Sequence, residues 1–117
     1  MIVAYTSMPN RLLRLIKEAI DMGDIDTWDY DREGDFTHVP YQWKNKAWFE
    51  PQKYQGEKII FKIIESVRFP LDQDLYGLYH GRFAEMLISH FSRFIKRIEI
   101  SPRPTSVDII NRNRDED

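Results

Sequence analysis

Residues 58–95 read KIIFKIIESVRFPLDQDLYGLYHGRFAEMLISHFSRFI, and a change of period inside that stretch decides the fold class. Up to Ser66 the period is two. Ile59, Phe61 and Ile63 line one side of an extended chain, and Lys58, Ile60, Lys62 and Ile64 line the other. Apolar residues on both sides predict a strand in the interior of its sheet. Pro70 then interrupts, and the period becomes 3.6. Leu75, Tyr79, Phe83, Met86, Leu87, His90, Phe91, Phe94 and Ile95 form one stripe, which predicts an amphipathic helix over residues 75–95, roughly 30 Å long. Asp72 or Asp74 can cap its start. Arg93, Lys96 and Arg97 suit the negative end of its dipole. Residues 98–100 fit either more helix or a short last strand.

Outward from this stretch the chain alternates between the two periods. Residues 1–5 (MIVAY) read as a strand. Residues 10–22 read as a second helix, with Leu12, Leu13, Leu15, Ile16, Ala19 and Ile20 on its apolar side. Ser7 or Asn10 is the expected cap, Pro9 sits in the first turn, and Gly23 ends the helix. Residues 24–39 predict a β-hairpin that turns at Asp31, Arg32, Glu33 and Gly34. Residues 40–46 fit a short helix or a crossover loop. Residues 47–52 predict a strand, followed by a turn at Gly56. The order β-α-β-β-β-β-α implies an α+β fold: an antiparallel sheet of about four to five strands with two amphipathic helices packed on one face. Residues 1–100 form the expected single compact domain. Residues 101–117 (SPRPTSVDIINRNRDED) form a polar C-terminal tail, with Val107, Ile109 and Ile110 able to dock part of it.

Composition narrows the function classes. The 117 residues are 42% hydrophobic and 14% aromatic, enough to bury one core without staples. The net charge of −2, from 17 basic and 19 acidic residues, argues against a dedicated nucleic-acid binder. There is no cysteine, which excludes disulfides, thiolate metal sites and a thiol nucleophile. No apolar run is long enough to span a membrane, and no signal-peptide pattern opens the chain. A cytoplasmic location without membrane contact is expected.

Four groups of residues carry chemistry worth weighing. The acidic hairpin places Asp24, Asp26, Asp29, Asp31, Glu33 and Asp35 close together. Asp29, Asp31, Glu33 and Gly34 fit the start of a calcium loop, but its twelfth position, which needs a bidentate acid, is Pro40. Asp29, Asp31 and Asp35 are therefore weak metal candidates, the plain reading is a solvated turn, and no cofactor is expected. The three histidines, His38, His80 and His90, lack the spacing of a helical metal pair. His90 lies near the apolar stripe and reads as a partly buried, hydrogen-bonded ring. In LYGLYHGRFAE, Gly77 and Gly81 share a helix face, and each costs up to about 1 kcal/mol against Ala. Close approach of another element is the structural explanation for them; a ligand or partner is the functional one. Tyr76, Gly77 and Gly81 are binding candidates, and His80, Arg82 and Glu85 are catalytic candidates able to form a polar acid–base cluster. Finally, Tyr41, Trp43, Trp48, Phe49 and Tyr54 alternate with Lys44, Lys46 and Lys53. Core packing, a protein interface or single-stranded nucleic acid would each use such residues, with Trp43 and Trp48 as the binding candidates.

None of the phosphate-loop, dinucleotide, nucleophile-elbow or zinc-protease patterns is present. The expected function is a non-enzymatic protein-binding module: an inhibitor, an immunity- or antitoxin-type protein, or an adaptor. A protein partner or self-association, such as a homodimer through the sheet or the long helix, is favoured over nucleic acid. Two alternatives stand beside it. One is a small metal-assisted hydrolase or nuclease with His80 as base, Arg82 holding an anion and the hairpin acids holding a metal. The other is a nucleic-acid accessory protein using Trp43, Lys44, Lys46 and Trp48.

Overall fold

A computed structural model gives the fold and describes residues 1–110. The elements are β1 (Ile2–Tyr5), α1 (Pro9–Asp21), β2 (Trp28–Tyr30), β3 (Phe36–His38), β4 (Ala47–Tyr54), β5 (Lys58–Glu65), α2 (Gln73–Phe91) and β6 (Arg97–Ile100), with a 3₁₀ turn at Ser92–Phe94 between α2 and β6. The strands form one six-stranded antiparallel sheet in the order β2-β3-β4-β5-β1-β6. The fold is α+β, and the sheet is larger than the four to five strands expected. The sixth strand comes from the segment that the sequence left open between helix and strand. α2 stops at Phe91, the 3₁₀ turn redirects the chain, and Ile95 is already extended. There β1 offers an unpaired edge, and β6 takes it. Phe94 and Ile95 still pack against the core from this turn, which is why the helical stripe seemed to run on.

The core follows the period-two alternation of the strands. Ile2 opposes Phe61, Ala4 opposes Ile59, Phe49 opposes Ile63 and Phe36 opposes Phe49. These side chains join Leu12, Leu13 and Ile16 of α1 and Leu75, Tyr79, Phe83 and Leu87 of α2 in one buried cluster. The other side of the strands is mixed: Val3 is buried, and Ile60, Lys62 and Ile64 are half-buried. Lys62 pairs with Glu50 at 3.1 Å, and Arg97 stacks on Tyr5.

The helix ends show local chemistry. Asp72 caps α2, its carboxylate accepting the Leu75 N–H at 2.8 Å. α1 is different: neither Ser7 nor Asn10 caps it. Its N-cap is Met8, without a side-chain cap bond, and the Thr6 hydroxyl accepts the Met8 N–H instead. Pro9 at the first position leaves one fewer N–H to satisfy. Gly23, at φ +83°, closes the other end. Its N–H reaches the Ile20 carbonyl and that of Asp24 reaches Ala19, a left-handed C-terminal cap.

Residues 101–110 return to the sheet. Ile109 bridges Ile64 in parallel, in the lane β1 would occupy if it were longer. The Ile109 N–H donates to the Ile63 carbonyl and the Glu65 N–H to the Ile109 carbonyl.

Candidate functional site

α2 carries most of the expected site residues, and the structure separates them. Tyr76 and His80 are each only 2% exposed. Their rings stack with centroids 3.7 Å apart. His80 Nδ1 lies 2.7 Å from the Tyr76 carbonyl, which can only accept, so this nitrogen carries the proton. The Nε2 lone pair then faces the Met1 nitrogen at 2.9 Å. That nitrogen also meets the Tyr76 hydroxyl at 2.9 Å, Ser101 Oγ at 3.1 Å and Asp108 Oδ2 at 3.3 Å. Burial, then the adjacent ammonium, lowers the His80 pKa to about 4, so the ring is neutral near pH 7. Burial also lowers the Met1 ammonium pKa, opposed by Asp108.

Asp108 ties the cluster together. It accepts the Ile63 N–H at 2.9 Å through Oδ1, and through Oδ2 the Thr105 N–H at 2.7 Å and the Thr105 hydroxyl at 3.0 Å. The Tyr76 hydroxyl faces the Ser101 and Arg103 carbonyls. Tyr76 and His80 therefore hold residues 101–108 and the start of β1 onto α2. Sequence spacing had grouped them with Gly77 and Gly81, which are in fact exposed.

The glycines do not mark a close approach. A Cβ added at Gly77 or Gly81 would meet nothing within 4 Å, so the packing explanation fails at both positions. Gly77→Ala and Gly81→Ala should each raise the unfolding free energy by about 0.5–1 kcal/mol, since only helix propensity and unfolded-state entropy change. Urea melts of the two variants check this; a loss of stability in either would place an unseen contact on this face.

Arg82 is two residues from His80, about 200° around the helix, and takes a different partner. Its Nη1 lies 3.3 Å from His38 Nε2. His38 Nδ1 faces the Thr27 carbonyl at 2.8 Å, so the proton sits on Nδ1, and Nε2 accepts from the guanidinium. Burial lowers the His38 pKa, and Arg82 adds to the effect. Arg82 and Glu85 line a cleft of about 250 Å³ with Asp24, Asp26, His38 and His90. The acids beside them come from the base of the hairpin, whereas the expected ones were at its tip. Neither imidazole is left as a base: His38 has both nitrogens engaged, and so has His80. His90, expected to be partly buried, is exposed.

The hairpin acids serve their own turn. Asp31 Oδ1 accepts the N–H groups of Glu33 and Asp35, and Gly34 sits at φ +85°. Burial, then Asp31, Glu50 and Glu33, raises the Asp35 pKa to about 6. Among the described residues no group of three His, Asp or Glu side chains is placed to hold a metal, so Asp29, Asp31 and Asp35 do not combine with His80.

Trp43 is the expected binding residue around which a surface does form. Residues 40–46 make a tight loop: the Trp43 and Lys44 N–H groups both donate to the Pro40 carbonyl, and Asn45 adopts φ +60°. The Tyr79 hydroxyl donates to the Trp43 carbonyl, and the Thr37 hydroxyl accepts the Asn45 N–H. Opposite stands the loop before α2. The Arg68 N–H donates to the Ser66 hydroxyl and the Leu71 N–H to the Glu65 carboxylate. Lys46 Nζ bridges the two loops, 5.7 Å from the Trp43 ring centre and 5.1 Å from that of Phe69. Between them is a groove of about 450 Å³ lined by Trp43, Lys46, Phe69, Asp74, Leu75 and Leu78. Trp43 Nε1 is buried with no hydrogen-bond partner among the described residues. The same two loops carry Tyr41, 97% exposed, and Val67, 77% exposed. Trp48 lies elsewhere, half-buried on β4 across from Ile64. Phe69 was not among the sequence candidates, because only the closure of the two loops brings it to Trp43.

No family model, curated protein or solved structure matches this chain. Among the described residues no helix is long and apolar enough to cross a membrane.

Proposed function

We propose that this chain is a non-enzymatic protein-binding module of the inhibitor or adaptor kind, and that it takes a segment of its partner into the Trp43–Phe69 groove. In this reading α1 and α2 cover one face of the sheet and leave the two loops at its end free to engage. The observation that carries it is the groove itself, where the Trp43 and Phe69 rings flank Lys46 and where Tyr41 and Val67 stand exposed on the same two loops. An apolar side chain from the segment would cover Phe69 and Leu78, and Tyr41 and Val67 would meet the rim. Aromatic anchors of this kind dominate binding energy at protein interfaces.

The test is partner capture by the purified chain, compared with its Trp43→Ala and Trp43→Phe variants after circular dichroism has shown that each folds. Trp43→Ala should weaken binding of a recovered partner by roughly 30-fold or more, the loss expected at a hot spot. Trp43→Phe keeps a ring but offers less contact area, so it should fall between. A partner bound equally well by all three chains would overturn the groove. Retention of single-stranded nucleic acid that falls steeply with salt would replace the partner class.

A further inference from the structure

β6 is an edge strand, and its backbone is arranged to accept another. Its register with β1 pairs Tyr5 with Arg97, Ala4 with Ile98, Val3 with Glu99 and Ile2 with Ile100. The Ser101 N–H donates to the Met1 carbonyl at 3.1 Å. Hydrogen-bonded pairs alternate along an antiparallel ladder, so Glu99 and Arg97 also turn their backbone groups toward β1. The N–H and C=O groups of Ile98 and Ile100 therefore point away from the sheet. Among the described residues no strand pairs with that edge. Beside it lies a groove of about 320 Å³ lined by Leu87, Ile88, Ile95 and Ile98. Ile88 is 58% exposed and Ile100 is 44% exposed.

We propose that a second copy of this chain pairs antiparallel with β6, edge to edge, on a two-fold axis that passes between the two Ile98 residues. In that register Ile98 faces Ile98 of the second copy and exchanges two backbone hydrogen bonds with it. Arg97 faces Glu99 of the second copy, and Glu99 faces Arg97, both in the closer non-hydrogen-bonded pairs. Charge selects this register over its neighbours. A slip of two residues one way sets Glu99 against Glu99 across the axis, and a slip the other way sets Arg97 against Arg97. A slip of one turns the isoleucines to the wrong face. The two charges already lie on one side of the sheet, where Arg97 and Glu99 meet at 3.4 Å and the Tyr5 hydroxyl donates to Glu99. The isoleucines lie on the other side, in register with the core residues Ala4 and Ile2. There Ile98 and Ile100 of the second copy would cover the Ile88–Ile95 groove. A lysine on an edge strand usually discourages pairing; here Lys96 precedes the strand, and its N–H already donates to the Tyr5 carbonyl at 2.7 Å. The interface is self-complementary, as a two-fold contact requires, and joins the two sheets into one. It shares no residue with the Trp43 groove, so neither proposal depends on the other.

The natural absence of cysteine makes the axis directly testable. In Ile98→Cys the two thiols face each other across a pair with Cα atoms about 5.5 Å apart, within disulfide range, and any disulfide must join two chains. Mild oxidation should convert Ile98→Cys largely to a covalent dimer, while Val67→Cys, equally free of competing thiols, should react far more slowly. The unaltered chain should sediment with a mass that rises with concentration from 14.1 kDa toward twice that. Glu99→Arg should weaken association at least tenfold, and Arg97→Glu with Glu99→Arg should restore it. A monomer at every concentration up to about 1 mM, where even millimolar affinity would register, would overturn the proposal. So would equal cross-linking at positions 98 and 67, or a dimer that Glu99→Arg leaves unchanged.

Discussion

Phe83→Ala should lower the unfolding free energy by about 3–5 kcal/mol, the range for deleting a fully buried phenylalanine. Phe83 has no exposed surface. Its ring lies 4.9 Å from Trp28, 5.7 Å from Phe36, 4.8 Å from Phe49 and 4.9 Å from Phe61, centroid to centroid. Those rings belong to β2, β3, β4 and β5, so one helical side chain fastens α2 to four strands. Its neighbours are large, rigid rings on a hydrogen-bonded sheet, which leaves them little freedom to collapse into the gap. Domains of this size are stable by only about 5–15 kcal/mol, so the variant should be close to unfolding at 37 °C. Equilibrium unfolding in urea should show a lower midpoint with an unchanged slope. Ile88→Ala, on the exposed side of the same helix, should cost less than about 0.5 kcal/mol. A loss below about 1.5 kcal/mol for Phe83→Ala would show that the aromatic cluster can close over the hole.

The second large effect is expected at Asp108. Its side chain is fully buried and accepts from the Ile63 N–H, from Thr105 twice and from the Met1 ammonium. Asp108→Ala removes all four acceptor contacts and leaves the ammonium against a neutral His80. The Met1 ammonium is partly exposed, so the cost comes mainly from the donors left unpaired, about 1–3 kcal/mol for each that stays buried. The loss should appear first as local release. The Glu65 and Ile109 N–H groups, which bond across to the Ile109 and Ile63 carbonyls, should exchange with solvent far faster than amides in the middle of β5. Hydrogen exchange resolved by residue separates this local opening from global unfolding. Continued protection of the Ile109 amide would mean that the Ile64 pairing alone docks the segment.

Both effects explain how far the sequence could be read. The strand–helix switch across residues 58–95 was legible because backbone sterics impose periods of 2 and 3.6 whatever the rest of the chain does. The Asp72 cap and the Gly34 turn were legible for the same reason: each is complete within four or five residues. The orientation of α2 was not. Its apolar residues surround much of the helix, so Tyr76 and His80 passed for a polar face with the glycines, and Gly77 and Gly81 for a packed one. Only contact with the sheet shows that the first two are buried and the second two face open space.

The candidate site divides along the same line. Trp43 stood out as an aromatic among lysines, but its partner Phe69 is separated from it by β4 and β5. His38 was one residue of a strand until Arg82 reached its Nε2. Asp108 belonged to a stretch read as a polar tail; its role exists only because β1, α2 and β5 converge on it. Local stereochemistry and hydrophobic period thus set the class of fold, most of its elements and the residues able to do chemistry. Pairing between distant segments set the sixth strand, the facing of α2 and every neighbour in the site, because burial and hydrogen bonding at those places depend on which chain segments meet.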